Sequence, residues 1–265
     1  MEILMEMGIP PLVIVSGTEF APCGYGGDAH LWLEPAAKRR SESFVIHDPD
    51  GSLLQWFGMD FSENGYSVSA LNLADIGASA KYNPFEYIRH SKDAPKVAAA
   101  LICGTTGLGE PGDISLISLE TLLYTALIGF IHEEAPHYEM NIATLMEMLE
   151  YMEPEDGFKT AIDCMFEQKE MMGDGQTHVR LYRDFKDLAG EDEQRAVDSC
   201  IARIAPLKTP ETVDFLSSDE LMLGRLTYCN AALFVISVNA DPALSFLAPL
   251  LYSQLIDLLC EMSGQ

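Results

Sequence analysis

The spacing of apolar residues along this chain changes period twice, and that double change restricts the fold more than any single motif. Pro11–Ser16, Ser43–His47 and Tyr66–Leu71 are short β-branched or aromatic runs closed by turn residues, which predicts three strands. From about Pro84 the period becomes helical, with Leu119, Leu122, Leu123, Ala126, Leu127 and Phe130 recurring at three and four. Further amphipathic helices are predicted over Ile142–Met152, with Asn141 as N-cap, and over Lys159–Met171, His178–Leu188 and Gln194–Ile204. At Ala231–Val238 a continuous apolar run returns, the pattern of a strand buried on both faces of a parallel sheet. The order predicts a three-layer α/β core whose sheet is interrupted by an all-α insertion and then resumes.

With 265 residues and 48% hydrophobic content, the chain can bury a substantial core divided into about two domains. Its formal net charge of −25 repels DNA, RNA and acidic lipid heads, so direct nucleic-acid binding by this chain alone is not expected. The six cysteines show no C-x-x-C and no paired spacing, which points to reduced thiols in a cytosolic setting. Glu2 and Glu6 occupy the start where a secretory signal would carry basic residues. Leu116–Ile131 contains Glu120 and Ala243–Ile256 contains Pro249, so both fall short of the roughly 18 clean apolar residues a membrane span needs and read as buried helices.

The turn after the first predicted strand lies where a phosphate-binding loop belongs. Such a loop reads G-x-x-x-x-G-K-[ST], because its amides cradle phosphate, its Lys reaches the terminal phosphates and its hydroxyl holds magnesium. Residues 22–29 read Pro-Cys-Gly-Tyr-Gly-Gly-Asp-Ala, with Pro22 at the first glycine, Gly27 at the second, Asp28 at the Lys and Ala29 at the hydroxyl residue. Gly24, Gly26, Gly27, Asp28 and Ala29 are therefore the candidate residues of a degenerate phosphate loop. Losing the Lys removes the cation that stabilises a transferring phosphoryl group, which predicts negligible hydrolysis. The segment Asp48-Pro49-Asp50-Gly51 suits a strand-ending type I turn; alternatively Asp48 and Asp50 bind a cation.

Other constellations carry less. Pro136 breaks the helix between His132 and His137 and spoils the one-face spacing of H-E-x-x-H, so a solvated helix end is expected there. No Ser-His-Asp order emerges from the six histidines. The methionines of Met140–Met152 and Met171-Met172 are expected in the core, with an adaptable partner surface as the other reading. Lys38-Arg39-Arg40 and the trio Arg180, Arg183, Lys186 are read as solvated surface.

Several segments together are similar to a known family. Ser43-Phe-Val-Ile-His-Asp-Pro-Asp-Gly51 resembles a strand ending in D-P-K-G, and Leu71-Asn-Leu-Ala-Asp75 leads to Lys81-Tyr-Asn-Pro-Phe-Glu-Tyr-Ile88, a fairly specific Y-N-P-F element. The segments 120–135 and 199–206 resemble insertion-domain helices, and 231–241 with 243–260 resemble the returning strand and helix. These features resemble the TraG/TraD-like coupling proteins of type IV secretion and conjugation. The resemblance implies a RecA-like three-layer parallel sheet, partial here, with an inserted all-α domain. The expected division is 1–83 for the first part of the core, 84–219 for the all-α insertion and 220–265 for the return strand and helix.

Members of that family bind ATP and magnesium, assemble as hexamers at the inner face of the bacterial plasma membrane and deliver a relaxase–DNA complex to the secretion channel. The resemblance thus implies secretion-channel or relaxase-type protein partners and homo-oligomerisation. Departures from the pattern are Asp28 for Lys, Ala29 for Thr and Asp50 for the Lys of D-P-K-G; the Walker B Asp-Glu pair is not reached by Gln265. No bound cofactor is expected for this chain itself. Two functional readings follow: a homologue that does not hydrolyse ATP and acts through protein contacts, or the front half of a split motor completed by another polypeptide.

Overall fold

A computed structural model describes residues 12–16, 27–105, 113–152, 159–173 and 176–263. Side chains are described from Leu33 to Glu261 within those ranges. Four strands, β1 (Leu12–Ser16), β2 (Ser43–His47), β3 (Ser67–Asn72) and β4 (Ala231–Ile236), form one parallel sheet in the order β1-β2-β4-β3. The late strand β4 enters between β2 and β3, pairing Phe44 with Ala232 on one side and Ser67 with Ala231 on the other. Its six residues, Ala-Ala-Leu-Phe-Val-Ile, are all buried, as a central parallel strand requires.

The chain divides into two units. Unit 1 comprises residues 1–82, 219–241 and 251–265; unit 2 comprises 83–218 and 242–250.

In unit 1, α1 (Gly27–Arg39) joins β1 to β2 and α2 (Ser52–Glu63) joins β2 to β3. Leu33, Ala36 and Ala37 of α1 and Leu53, Phe57 and Phe61 of α2 meet Phe44, Ile46, Ala232 and Phe234 on one face of the sheet. The alternation of β2 turns Ser43, Val45 and His47 to the other face. There His47 meets Tyr252, with Tyr252 Oη and His47 Nδ1 3.4 Å apart. Burial pushes the Tyr252 phenol up to about 12. Ser43 is buried yet satisfied: its hydroxyl donates to Cys229 O at 2.8 Å and accepts from Ala231 N at 3.3 Å, tying β2 to the start of β4.

The described elements of unit 2 are helical: α3 (Ala94–Gly104), α4 (Ile114–Glu134), α5 (Ile142–Glu150), α6 (Ala161–Met171), α7 (Thr177–Ala189), α8 (Glu193–Ile204) and α9 (Pro210–Leu216). Asn141 caps α5 as its sequence predicts, Oδ1 accepting from Ala143 N and Thr144 N. α4 is the central rod, packed against α3, α5, α7 and α8. Gly129 permits the close approach of α7, since a Cβ there would lie 2.9 Å from His178 Cβ. A short helix, α10 (Arg225–Tyr228), precedes β4, and α11 (Leu247–Ser263) ends the described chain.

Glu120 and Pro249 interrupt two apolar stretches, yet Ile114–Glu134 and Pro242–Glu261 are long and apolar enough to cross a membrane by length and composition. In unit 2, Leu123, Tyr124, Leu127, Ile128 and Ile131 of α4 are fully buried against protein. Met146, Met148 and Met152 lie in the core as expected, whereas Met171 is 84% exposed. That exposure corrects the core reading for Met171 and Met172: α6 ends at Met171 and both side chains pass beyond its packed face. Of the cations of α7, Arg180 and Arg183 are exposed as expected, Arg183 pairing with exposed Glu170, whereas Lys186 is half-buried between Asp163 and Glu193. No disulfide joins the five described cysteines.

Candidate functional site

In a parallel α/β sheet the carboxyl ends of the strands face the helix amino termini, and ligands bind in the crevice outside those ends. Here that edge is formed by Ser16, His47, Ile236 and Asn72 and the turns that follow them. Gly27, Asp28 and Ala29 are the first residues of α1, the helix that follows β1. A helix start offers free amides and the positive end of the dipole to an anion. The sequence places Asp28 in that first turn, at the position where the phosphate-loop pattern has Lys. Gly24 and Gly26 lie outside the described residues, as do Pro22 and Cys23.

The turn after β2 is described in full. Asp48 N donates to Val235 O at 2.9 Å, continuing the pairing of β2 with β4 past the last strand residue. The Asp48 side chain, fully buried, folds onto the amino terminus of α2: Oδ1 accepts from Leu53 N at 3.1 Å and Oδ2 from Leu54 N at 2.7 Å. Burial raises its pKa; the Leu54 and Leu53 amides pull the other way without cancelling it. Gly51 closes the turn, its N–H reaching Asp48 O at 3.3 Å and its φ of 81° lying in the left-handed region that glycine adopts without strain. Pro49 O accepts from Ser237 N and Val238 N at 3.3 and 2.8 Å, which fastens this turn to the exit of β4.

Asp50 behaves differently. It is exposed, its Oδ1 accepts from Ser52 N at 3.1 Å, and the Ser52 side chain and amide hold its carboxyl below the usual value. The two carboxylates thus have separate tasks, one capping a helix from within and one standing in solvent. Both oxygens of Asp48 accept from amides inside the fold, so of the two carboxylates only Asp50 faces solvent. Among the described residues no cluster of three or more His, Cys, Asp or Glu side chains is placed to hold a metal.

The exit of β3 adds residues that the strand pattern does not reveal. Asn72 Oδ1 accepts from Ala74 N and Asp75 N, both at 3.1 Å, and Asp75 Oδ1 accepts from Gly77 N at 3.2 Å. The readable signal is an Asn and an Asp just past a strand, where short polar side chains cap turns. The described part of this edge therefore carries Asp48, Asp50, Asn72 and Asp75, and the position where the D-P-K-G pattern has Lys holds the exposed acid Asp50.

The remaining resemblance segments are structural. In unit 1, Tyr82 is fully buried and its Oη donates to Gln254 Oε1 at 2.5 Å. In unit 2, Asn83 Oδ1 accepts from Phe85 N at 3.1 Å and its Nδ2 donates to Met140 O at 2.8 Å. Glu120 of α4 and Arg203 of α8 form a buried ion pair, Oε2 to Nη2 at 2.8 Å, with Ser199 Oγ donating to Glu120 Oε1. Arg203 Nη1 also donates to Thr105 O at 3.2 Å and Ile102 O at 3.4 Å, at the carboxyl end of α3. Tyr124 Oη donates to Cys200 O at 2.7 Å; burial pushes both the Tyr124 phenol and the Cys200 thiol well up, so neither is a reactive group. At the end of α4, His137 Nε2 lies 3.2 Å from Glu86 Oε2 beyond Pro136, a helix terminus rather than a metal face.

A parallel sheet with helix starts at its carboxyl edge and an all-α insertion ahead of its last strand defines a RecA-like P-loop architecture. The chain belongs to the type IV secretory system conjugative DNA transfer family, whose model matches residues 35–265. No curated protein matches it. Among solved structures it is similar to the plasmid coupling protein TrwB in complex with ADP and Mg2+, at 18% identity and a TM-score of 0.53, over 95% of this chain and 53% of that one. It is also similar to the bacterial conjugative coupling protein TrwBdeltaN70. The unbound monoclinic form matches at 16% identity and TM-score 0.50, over 95% and 52% of the two chains. The trigonal form in complex with sulphate matches at 17% and 0.50, over 97% and 54%. The chain spans about half the length of these structures.

Proposed function

We propose that this chain serves conjugative DNA transfer through protein contacts and does not hydrolyse ATP by itself. The observation that carries the reading is Asp28 at the position of the phosphate-loop Lys, at the start of the helix that follows β1. Phosphoryl transfer is catalysed almost wholly by positioning and charge, and here a carboxylate occupies the place of the cation that would meet the phosphates. Exposed Asp50, at the Lys position of D-P-K-G, adds a second negative charge to the same edge of the sheet. The net charge of −25 favours protein partners of the secretion-channel or relaxase type over direct contact with nucleic acid. A place at the inner face of the plasma membrane and self-association follow from the family as part of the same reading.

Isothermal titration of the folded protein with ATP and magnesium tests it. No heat of binding is expected at millimolar nucleotide, and measurable magnesium-dependent binding overturns the proposal. The double substitution D28K/A29T is expected to recover binding if the path of residues 22–27 still suits phosphate. A silent double variant assigns part of the loss to Pro22.

A further inference from the structure

Unit 1 carries a pocket at the amino ends of β3 and β4, opposite the edge described above. It has a volume of about 50 Å³, room for more than one water-sized group, and Ser67, Val68, Ser69, Met222, Arg225 and Leu233 are among its lining residues. Ser67 and Ser69 are two apart on β3, so their side chains share one face of the sheet. Arg225, the first residue of α10, reaches Ser67 Oγ with Nη1 at 3.5 Å, a long contact that leaves most of its donors free. Among the described residues Arg225 has no carboxylate within ion-pair distance, and Ser69 Oγ has no hydrogen-bond partner.

The chain has 41 acidic and 16 basic residues, and its other cations are largely spent: Lys38, Arg39, Lys96, Lys159, Lys169, Arg183, Lys186, Arg195, Arg203 and Lys208 all pair with carboxylates. Yet among the described residues no Asp or Glu lines this pocket. The geometry points to a binding site for a small oxyanion of the phosphate or sulfate type, held by the Arg225 guanidinium and the Ser67 and Ser69 hydroxyls. A guanidinium meets such an oxygen pair with two parallel N–H groups, and hydroxyls at i and i+2 complete the donor set. The buried side chains of Leu221, Leu226 and Leu233 exclude water from one side of the pocket and strengthen those hydrogen bonds.

The site is tested by titrating the full chain with inorganic phosphate at constant ionic strength, followed by calorimetry and by amide NMR shifts. Saturable binding is expected, with the shifts concentrated at residues 67–69 and 225. R225Q is expected to weaken it by about ten-fold or more, the loss typical of one charge-assisted hydrogen bond, while R225K retains part of the affinity and S69A loses less than R225Q. Should R225Q not fold, S69A and the shift map in the unsubstituted chain still decide the matter. Absence of binding, binding unaffected by both substitutions, or shifts confined to the first turn of α1 would overturn the assignment. The last outcome would instead contradict the reading of Asp28, so the two proposals fail separately.

Discussion

Each unit buries a carboxylate completely, and each satisfies it in a different way. In unit 1, Asp48 gives both oxygens to the amides of Leu53 and Leu54, so among the described residues its partners are backbone groups. In unit 2, Glu120 is answered by side chains, the Arg203 guanidinium and the Ser199 hydroxyl, and Arg203 in turn holds the last carbonyls of α3. The first arrangement is local, set within a few residues of sequence. The second joins three helices, and neither charge can be removed without stranding the other. Unit 1 thus places this buried carboxylate in one turn at the carboxyl edge of its sheet, while the pair in unit 2 holds a helical module together.

The largest expected effect tests the second arrangement. R203M leaves Glu120 charged, buried and without its cation, a change that costs about 3–5 kcal/mol. The double substitution E120L/R203M removes both charges and is expected to recover most of that loss, because apolar groups of similar volume replace a buried pair at little or no cost. Urea unfolding of the three proteins measures it. Equal destabilisation by the single and double variants would show that packing of these side chains, not charge, ties α3, α4 and α8.

A smaller effect tests the first. D48A removes two amide acceptors at the start of α2 but strands no opposite charge, so a loss of about 1–2 kcal/mol is expected. In the same unfolding assay R203M should therefore cost more than D48A. The reverse order would erase the distinction between the units. D50A, at an exposed oxygen bonded only to Ser52, serves as a control that moves stability by less than about 0.5 kcal/mol.

What the sequence discloses follows the same division. The β2 run is legible from its own residues, as is the all-apolar β4 run, two residues shorter than predicted, and so is the Asn141 cap, since period and capping are local properties. The slot of β4 between β2 and β3 is not legible, because an apolar run fixes that a strand is buried and not which strands flank it. The Asp48-Pro49-Asp50-Gly51 turn is predicted as a turn; that Asp48 turns inward to cap α2 depends on the pleat of β2 placing its side chain under the helix. The pairing of Glu120 with Arg203 escapes any local rule, although the segments containing both residues carry the family resemblance. Their meeting is set by the packing of α4 against α8. Of the candidate phosphate loop, the structure describes only its last three residues, at the start of α1.

The last effect, absent at neutral pH and growing only as pH falls, concerns a polar group that unit 2 leaves half answered. His178 of α7 is buried with its ring edge-on to Phe130 and near Phe166; Glu133 Oε2 lies 3.5 Å from Nδ1, with Glu134 and Lys169 also in its field. Burial lowers its pKa, and the two glutamates only partly restore it. Because the folded value lies below the unfolded value of 6.5, the unfolded chain binds the proton first as pH falls. The stabilising contribution is therefore complete above pH 6.5 and is lost as pH drops from there towards the folded value, at no more than about 1.4 kcal/mol per pH unit. His132, lowered by its own burial, adds to the same acid slope. H178L should remove the His178 share, so that the stability difference between H178L and the unsubstituted chain shifts in favour of H178L between pH 7.5 and 5.5. A pH-independent difference would mean that Glu133 pairs with His178 strongly enough to offset its burial. The local pair would then work as Glu120 and Arg203 do, each charge answered by a side chain of opposite sign.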